Sequence, residues 1–213
     1  MTKIFKIKEI FKSIQGEGFH SGATALFLRF TGCNLWNGKL EVKKKALCNF
    51  CDTDFVGTDG INGGIYHEND LLEKVELVWS QSFTCDKKFI VLTGGEPLLQ
   101  VTQSLVSKLQ ELGYYVAIET NGSITTMIKF DWVCVSPKVN SNWSLKSGDE
   151  LKIIFPQSHF NLLQIKRLKF KYFFLQPMDG EKKQINTWNT INYCKSHKPW
   201  FPSFQIHKIL NIS

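Results

Sequence analysis

Apolar runs of strand length recur along the chain and alternate with segments that have the spacing of a helix. The runs are Ala25–Phe30, Phe89–Leu92, Tyr115–Ile118, Trp132–Val135, Leu151–Phe155 and Tyr172–Leu175. The helical segments are Leu98–Leu112, Leu71–Trp79, Phe160–Leu168 and Ile185–Asn192. Pro97 could begin the first of these helices and Gly113 could end it. Such alternation predicts an α/β fold with a largely parallel sheet. About six βα units favour a partial (β/α) barrel, and an open doubly wound sheet is the alternative.

Small and polar residues follow most of these strands. The motifs at the strand exits are Thr31-Gly32-Cys33, Thr93-Gly94-Gly95-Glu96, Glu119-Thr120-Asn121-Gly122, Ser136-Pro137-Lys138 and Gln176-Pro177-Met178-Asp179. In parallel sheets a ligand site lies at the carboxyl ends of the strands. We therefore expect these five motifs to gather around one binding site.

The composition is that of a globular protein with one domain. The chain has 213 residues, of which 43% are hydrophobic and 21% are charged, and this length can bury a sizeable core without disulfides. No apolar stretch is long enough to cross a membrane, and the charged N-terminus lacks the apolar region of a signal peptide. We therefore predict a cytoplasmic protein with reduced cysteines. The net charge of +7 comes from scattered lysines, which favours anionic small molecules over nucleic acid.

Three of the six cysteines form a cluster that indicates metal binding. Cys33 is followed by fourteen residues and then by the pair Cys48 and Cys51. Three thiolates can hold a four-iron cluster with one iron left open, whereas zinc sites usually take a fourth Cys or His. No fourth ligand stands near these cysteines in the sequence. The spacing alone is compatible with an iron–sulfur cluster, with a zinc ion and with no metal. The other cysteines are assigned no ligand role; they are Cys85, Cys134 and Cys194.

Short segments along the whole chain form a specific pattern when they are taken in order. They are Phe11-Lys12-Ser13-Ile14-Gln15-Gly16-Glu17-Gly18, Phe30-Thr31-Gly32-Cys33-Asn34-Leu35-Trp36, Cys51-Asp52-Thr53-Asp54-Phe55, Thr93-Gly94-Gly95-Glu96-Pro97, Ser136-Pro137-Lys138, Gln176-Pro177-Met178-Asp179 and Gln205-Ile206-His207-Lys208. Together they resemble the 7-carboxy-7-deazaguanine synthase family, which are radical S-adenosylmethionine enzymes of queuosine-type deazapurine biosynthesis. The long gap between Cys33 and Cys48 departs from the shorter spacing usual in the superfamily and matches a variant found in this family.

The resemblance implies a single radical S-adenosylmethionine domain over residues 1–213, folded as a compact partial (β/α) barrel. It implies a lyase that converts 6-carboxy-5,6,7,8-tetrahydropterin into 7-carboxy-7-deazaguanine with loss of ammonia. The implied cofactors are a 4Fe–4S cluster, S-adenosylmethionine and Mg²⁺, and the radical would abstract hydrogen without a protein general base. The implied partners are a second copy of the chain and an electron donor of the flavodoxin or ferredoxin type, with no nucleic acid and no membrane.

Cofactor-binding residues are carried over where the sequence matches the family pattern. Cys33, Cys48 and Cys51 would bind the cluster, and Thr53 would bind Mg²⁺. The residues predicted to contact S-adenosylmethionine are Phe50, Asp52, Gly95, Glu96, Ser136, Lys138, Gln176 and Asp179. Among them, Glu96 could accept a hydrogen bond from the ammonium group of this cofactor.

Substrate-binding residues are carried over in the same way. They are Ile14, Gln15, Gly16, Glu17, Arg29, Thr93, His207 and Ser213. The carboxylate of Glu17 suits the guanidine-like edge of a pterin, and the planar fork of Arg29 suits a substrate carboxylate. His207 stands six residues before Ser213, as the family pattern requires, and the terminal carboxylate would reach back to the substrate. Serine stands at this last position where the family pattern leads us to expect proline.

Two alternatives belong to other classes of protein. A different radical S-adenosylmethionine enzyme, such as a glycyl-radical activase, would act on a protein and usually has a tighter cysteine spacing. Gln15-Gly16-Glu17-Gly18 and His207 argue against it. A zinc-binding module would need the fourth ligand that the sequence does not provide near the cysteines.

Overall fold

One mixed sheet runs through the chain in the structure, a computed structural model that describes residues 3–81, 87–158 and 160–212. The strands are β1 Ile4–Ile14, β2 Thr24–Phe30, β3 Gly64–His67, β4 Lys88–Gly94, β5 Tyr114–Thr120, β6 Trp132–Val135, β7 Ser147–Phe155, β8 Lys169–Pro177 and β9 Trp200–Pro202. Their order across the sheet is β3-β1-β2-β4-β5-β6-β7-β8-β9. Neighbours from β2 to β9 pair in parallel, whereas β1 pairs antiparallel with both β2 and β3.

The helices lie in the connections of this sheet. They are α1 Glu68–Ser80, α2 Gln103–Glu111, α3 Leu162–Ile165, α4 Lys183–Ser196 and α5 Ile206–Leu210, with 3₁₀ helices at Leu40–Lys45 and Pro97–Leu99. The parallel strands follow one another in chain order, as in a barrel, and not in the reversed order of a doubly wound sheet. The predicted α/β class and partial barrel are therefore confirmed. Residues 121–131 and 136–146 join β5 to β6 and β6 to β7 without a helix, which the βα pattern did not predict.

All six predicted apolar runs lie in strands, but the sequence reading missed β1, β3 and β9. The N-terminal segment was read only as charged, although its apolar residues Phe5, Ile7 and Ile10 are fully buried. Phe5 and Ile7 follow the two-residue period of a strand, and the shift to Ile10 reflects an irregularity in the pairing of β1 with β2 between Ile7 and Glu9. Lys8 is nevertheless buried, because its Nζ lies 2.8 Å from a carboxylate oxygen of Asp54 and of Asp59.

The helix predicted from Leu98 begins later than expected. Pro97 starts a separate 3₁₀ turn, and α2 begins after Thr102, whose side chain accepts a hydrogen bond from the Leu105 amide at 3.2 Å. A threonine cap supplies a partner for an amide that the helix itself cannot satisfy. Gly113 follows the end of α2 with φ of +87°, as predicted.

Helix α4 forms where it was predicted, but it buries the opposite face. Ile185 and Trp188 are 61% and 68% exposed, whereas Asn186 and Thr190 are buried. The Asn186 side chain donates to the Met178 carbonyl at 2.9 Å, and this bond fixes the helix to the loop after β8. The buried face of α4 is therefore the one with Asn186 and Thr190, and not the apolar face that the periodicity predicted.

The core forms around the sheet, with one cluster under α1 and α2 and a second under α3. Cys134 is 3% exposed and packs as a small apolar residue on β6. Cys85 lies outside the described residues. Within the described ranges, no helix has the length and apolar character needed to span a bilayer.

Candidate active site

The carboxyl ends of the parallel strands open into a cavity of about 320 Å³. Its volume lies in the range of small-molecule sites. Each of the five strand-exit motifs contributes to its lining, through Cys33, Thr93, Glu119, Lys138 and Gln176 among others. The expectation that these motifs gather at one site is met, because parallel strands present their carboxyl ends on the same edge.

Three free thiols line this cavity. Cys33 follows β2, and Cys48 and Cys51 follow the 3₁₀ helix Leu40–Lys45. Burial raises the pKa of Cys33, whereas a hydrogen bond with Cys48 lowers the pKa of Cys51 to about 6. Among the described residues, no three Cys, His, Asp or Glu side chains converge at the position of a single metal ion. A four-iron cluster takes one thiolate on each of its irons, so three thiols on one wall could hold such a cluster with one iron left open.

The loop after β4 packs directly against the loop that carries Cys33. The Gly95 amide donates to the Phe30 carbonyl at 3.2 Å, and the next amide, of Glu96, donates to the Gly32 carbonyl at 2.9 Å. A Cβ atom at Gly95 would lie 2.0 Å from the Gly32 oxygen and 3.0 Å from the Cys33 Cβ. Only glycine permits this approach, so the close contact explains the Gly-Gly sequence.

Gly95→Ala is expected to lower the free energy of unfolding by about 1–3 kcal/mol, because the added methyl group must displace the Cys33 loop. Urea denaturation measures this effect, and iron content after reconstitution reports the cysteine geometry. Unchanged stability together with full iron loading would show that the two loops separate without cost.

Glu96 does not line the cavity. Its carboxylate is fully buried and accepts hydrogen bonds from the Leu98 amide at 3.0 Å, the Thr120 hydroxyl at 2.8 Å and the Asn121 amide at 2.8 Å. Burial raises the pKa of Glu96, and these bonds oppose that rise. The structure thus places Glu96 behind the wall, where it ties the β4 exit to the β5 exit. The cofactor contact predicted for its side chain stays a prediction that this placement does not support.

The other residues predicted to contact S-adenosylmethionine line the cavity. They are Phe50, Asp52, Gly95, Ser136, Lys138, Gln176 and Asp179. Lys138 Nζ donates to the Ser136 hydroxyl at 2.8 Å, which holds the β6 exit loop. Thr53, predicted to bind Mg²⁺, also lines the cavity. Its two neighbours in sequence, Asp52 and Asp54, line the cavity as well. A single hydroxyl suits Mg²⁺ only together with water and ligand oxygens, which this ion usually retains.

A polar network forms the opposite part of the wall, where substrate contacts were predicted. Glu119 Oε1 accepts from Gln15 Nε2 at 3.1 Å, and Glu119 Oε2 accepts from the Thr93 hydroxyl at 3.3 Å. Glu17 Oε1 accepts from Gln176 Nε2 at 3.0 Å and from Gln205 Nε2 at 2.9 Å. Ile14 and Gly16 also line the cavity. Residues far apart in sequence therefore meet around two carboxylates.

Lys152 joins these two carboxylates. Its Nζ lies 2.5 Å from Glu17 Oε2 and 3.4 Å from Glu119 Oε1. Burial alone would raise the pKa of Glu17, but the charge and hydrogen bond of Lys152 lower it to about 2. Burial alone would lower the pKa of Lys152, but Glu119 and Glu17 hold it well above its usual range. The ion pair is therefore present at neutral pH and is lost only as the pH falls through about 2 or rises through the pKa of Lys152, which lies well above that of an ordinary lysine.

Arg29 lines the cavity from β2, but it also has a protein partner. Its Nε lies 2.7 Å from Glu9 Oε1 on the neighbouring strand β1. A guanidinium has five donors, so this ion pair leaves the outer fork geometrically suited to a second carboxylate. The pairing orients Arg29 toward the cavity.

The C-terminal segment closes one side of the cavity. The Ile206 amide donates to the Gly16 carbonyl at 3.0 Å, and a Cβ atom at Gly16 would lie 2.2 Å from His207 Nδ1. Lys208 Nζ lies 2.5 Å from Asp52 Oδ2 and 2.6 Å from Asp179 Oδ2. This lysine thereby connects α5 to the loop of the cysteine pair and to the β8 exit. Ser213 lies outside the described residues.

Four residues of the site were not singled out by the sequence: Glu119, Lys152, Gln205 and Lys208. Glu119 was noted only as part of a strand exit, and Gln205 and Lys208 only as parts of a motif. Lys152 offered a signal, because a lysine between the buried residues Leu151 and Ile153 must have a partner.

The chain is similar over almost its whole length to curated enzymes with one name. The 7-carboxy-7-deazaguanine synthases of Burkholderia multivorans and Caulobacter vibrioides are each 46% identical over 209 residues, which cover 98% of this chain and 99% of theirs. The enzyme of that name from Bacteroides thetaiotaomicron is 34% identical over 97% of this chain and 98% of its own. No protein-family model matches the chain.

A solved structure supports the same assignment. The crystal structure of QueE from Escherichia coli has a TM-score of 0.72 to this chain and 25% sequence identity, and covers 95% of this chain and 94% of its own. The fold, the cavity at the strand exits and the relatives therefore agree with the resemblance that the motifs indicated. The chain belongs to the 7-carboxy-7-deazaguanine synthase family.

Proposed function

We propose that this protein converts 6-carboxy-5,6,7,8-tetrahydropterin into 7-carboxy-7-deazaguanine with loss of ammonia. The observation that carries the proposal is one cavity lined both by three thiols and by the carboxylate network of Glu17 and Glu119. A radical enzyme needs its cofactor and its substrate side by side, away from bulk water. The family relationship supplies the identity of the substrate.

Cys33, Cys48 and Cys51 would hold a 4Fe–4S cluster, and their free thiols on a shared wall fit that group. With S-adenosylmethionine bound, the cluster would supply a 5′-deoxyadenosyl radical for hydrogen abstraction from the substrate and the ring contraction that follows. The protein residues bind, orient and exclude water. Gly95 and Lys138 lie on the wall where S-adenosylmethionine would bind, together with Phe50, Asp52, Ser136, Gln176 and Asp179.

The substrate would bind against the carboxylate network. A pterin presents N–H donors along one edge, and the acceptor oxygens of Glu17 and Glu119 complement such an edge. Arg29 would bind the substrate carboxylate through its outer nitrogens. His207 borders the same cavity beside Gly16, and burial lowers its pKa, so at neutral pH it is neutral and can both donate and accept.

The remaining partners are proposed from the family relationship. The whole chain would act as one radical S-adenosylmethionine domain, which the single continuous sheet supports. It would form a homodimer and take electrons from a protein of the flavodoxin or ferredoxin type. Sedimentation velocity of the reconstituted protein would test whether it is a dimer. Turnover driven by reduced flavodoxin and by reduced ferredoxin would test the electron donor.

The test of the function is an anaerobic assay. Reconstituted protein is mixed with reductant, S-adenosylmethionine, Mg²⁺ and 6-carboxytetrahydropterin, and products are followed by mass spectrometry. We expect 7-carboxy-7-deazaguanine and 5′-deoxyadenosine. Formation of 5′-deoxyadenosine without 7-carboxy-7-deazaguanine would support the radical chemistry but contradict the proposed substrate. If neither product forms, the proposed function is wrong.

Thr53→Ala is expected to weaken the stimulation of turnover by Mg²⁺ and to raise the Mg²⁺ concentration for half-maximal rate about tenfold, because one oxygen ligand is lost. Initial rates are measured over a Mg²⁺ series. Thr58→Ala, in the loop beyond the cavity, is the matched control. An unchanged Mg²⁺ dependence would remove the role assigned to Thr53.

A further inference from the structure

Lys152 is one of the cations that line the cavity. It lies on β7 between Leu151 and Ile153, which pack into the core on the other face of the strand. Only 3% of Lys152 is exposed. Its Nζ is placed between Glu17 and Glu119, which come from the loop after β1 and from the end of β5.

Other titratable groups also face this pair. Glu150 lies two residues before Lys152 and is buried, and its carboxylate accepts from the Phe19 amide and from Trp132 Nε1 at 3.2 and 3.3 Å. Burial raises the pKa of Glu150, and the charge of Lys152 opposes that rise. Cys134 on β6 and His207 on α5 complete the set of titratable neighbours. The thiol is neutral, since burial raises the pKa of Cys134 well above its usual range.

The charge on the two carboxylates decides what they can bind. An ionised carboxylate only accepts hydrogen bonds, whereas a protonated one also donates. The two carboxylates are largely enclosed, with side chains 15% and 25% exposed, and Lys152 is a donor to both. Without this cation, desolvation and mutual repulsion both favour uptake of a proton by one of them. The amides of Gln15, Gln176 and Gln205 donate to this pair but carry no charge.

We propose that Lys152 is a positioning residue that keeps Glu17 and Glu119 ionised and fixed in place, so that this wall accepts hydrogen bonds from the N–H edge of the substrate. The proposal rests on the proposed function for the identity of that edge. Without the lysine, one of the two carboxyl groups takes up a proton. Its O–H donor then faces the N–H donors of the substrate, and no hydrogen bond forms. The protein then keeps its fold and its cysteine site but loses affinity for the pterin.

A purely structural role for Lys152 makes a different prediction. If the lysine only stabilised the sheet, its removal would lower stability without changing the ionisation of Glu17 and Glu119. The two roles are separated by a direct titration of the carboxyl groups. Glutamate labelled with ¹³C at its side-chain carboxyl carbon reports each group by NMR, and Glu17→Gln and Glu119→Gln assign the two signals.

The titration compares Lys152→Met, Lys152→Arg and the unsubstituted protein, all reconstituted. In the unsubstituted protein and in Lys152→Arg we expect the Glu17 signal not to titrate above pH 5, because the cation is kept. In Lys152→Met we expect at least one midpoint to rise to about pH 7 or above, because loss of the cation leaves desolvation and repulsion unopposed. Two unmoved midpoints in Lys152→Met would overturn the proposal. If this variant does not fold, Lys152→Gln replaces it under the same criterion.

Binding of 6-carboxypterin, a stable analogue, provides the second measurement. Lys152→Met is expected to weaken binding at pH 7 by about 10- to 100-fold, with recovery as the pH rises, and Lys152→Arg is expected to restore most of it. Lys88→Met is the matched control, since Lys88 pairs with Glu76 at the other end of the sheet and should leave binding unchanged. Iron content should be the same in all variants.

Equal affinity of Lys152→Met and Lys88→Met for 6-carboxypterin would overturn the proposal. If the unsubstituted protein does not bind the analogue, the proposed substrate fails, and the titration alone still decides the role of Lys152.

Discussion

Cys33→Ala is expected to abolish binding of the iron–sulfur cluster and, with it, the reductive cleavage of S-adenosylmethionine. Cys33 is one of the three thiols that line the cavity in the part of the chain that the structure describes, and two thiolates would leave a four-iron cluster with two open irons. Iron and sulfide analysis with the visible absorption spectrum measures the first effect. Formation of 5′-deoxyadenosine under anaerobic reduction measures the second, and we expect none above background.

Cys194→Ala is the matched control for this variant. Cys194 is a free and partly buried cysteine on α4, where it packs beside the second core cluster and does not line the cavity. Its removal should leave iron content and cleavage unchanged. Full cleavage by Cys33→Ala, or equal loss in both variants, would contradict the assignment of the cysteine site.

Removal of residues 205–213 is expected to lower kcat/KM for the pterin substrate by at least about 100-fold, with less effect on cleavage of S-adenosylmethionine alone. The deletion takes away the hydrogen bond from Gln205 to Glu17 and both ion pairs of Lys208. It also opens the side of the cavity that His207 closes. Steady-state kinetics with both products measured separates the two activities.

Two smaller changes show which part of the segment matters. Deleting only residues 211–213 should raise KM for the substrate, because the terminal carboxylate is predicted to reach it, while Lys208 and its partners remain. Lys195→Ala, an exposed change on α4, is the control. Normal kinetics after the longer deletion would show that the C-terminal segment is not part of the pocket.

Much of the architecture was predictable, because the period of the apolar residues reports local structure directly. The runs that end at Phe30, Leu92 and Val135 all lie in parallel strands. The polar motifs after them gather at one cavity, because parallel strands bring their exits to one edge. This gathering depends only on the direction and the order of the strands. In this fold the parallel strands follow one another in chain order.

The carboxylate network was less predictable, because its contacts join residues far apart in the sequence. Glu17 and Gln205 are 188 residues apart, and Glu17 and Lys152 are 135 residues apart. No local pattern reports such a distance. Lys152 itself was hidden in a run that was counted as apolar, although a charged residue inside a buried strand is a signal of a paired charge.

Helix α4 shows how tertiary contacts can reverse a local pattern, and Glu96 shows protein contacts that its local sequence did not predict. A glutamate after two glycines suggests a ligand contact, but three donors of the protein surround its carboxylate. The apolar spacing on α4 predicted a buried face, but one hydrogen bond from Asn186 turned the other face inward. Both cases depend on partners that the neighbouring sequence does not contain.

The meeting of the first loop with the last helix also has a consequence for biosynthesis on the ribosome. Gly16 and Glu17 are made long before their partners Ile206 and Gln205, since Glu17 and Gln205 are 188 residues apart. The sheet can assemble strand by strand in the order of translation, since its parallel strands are neighbours in sequence. The pocket, by contrast, stays open on one side until Lys208 has left the exit tunnel. A nascent chain can therefore form most of its sheet before its pocket is enclosed.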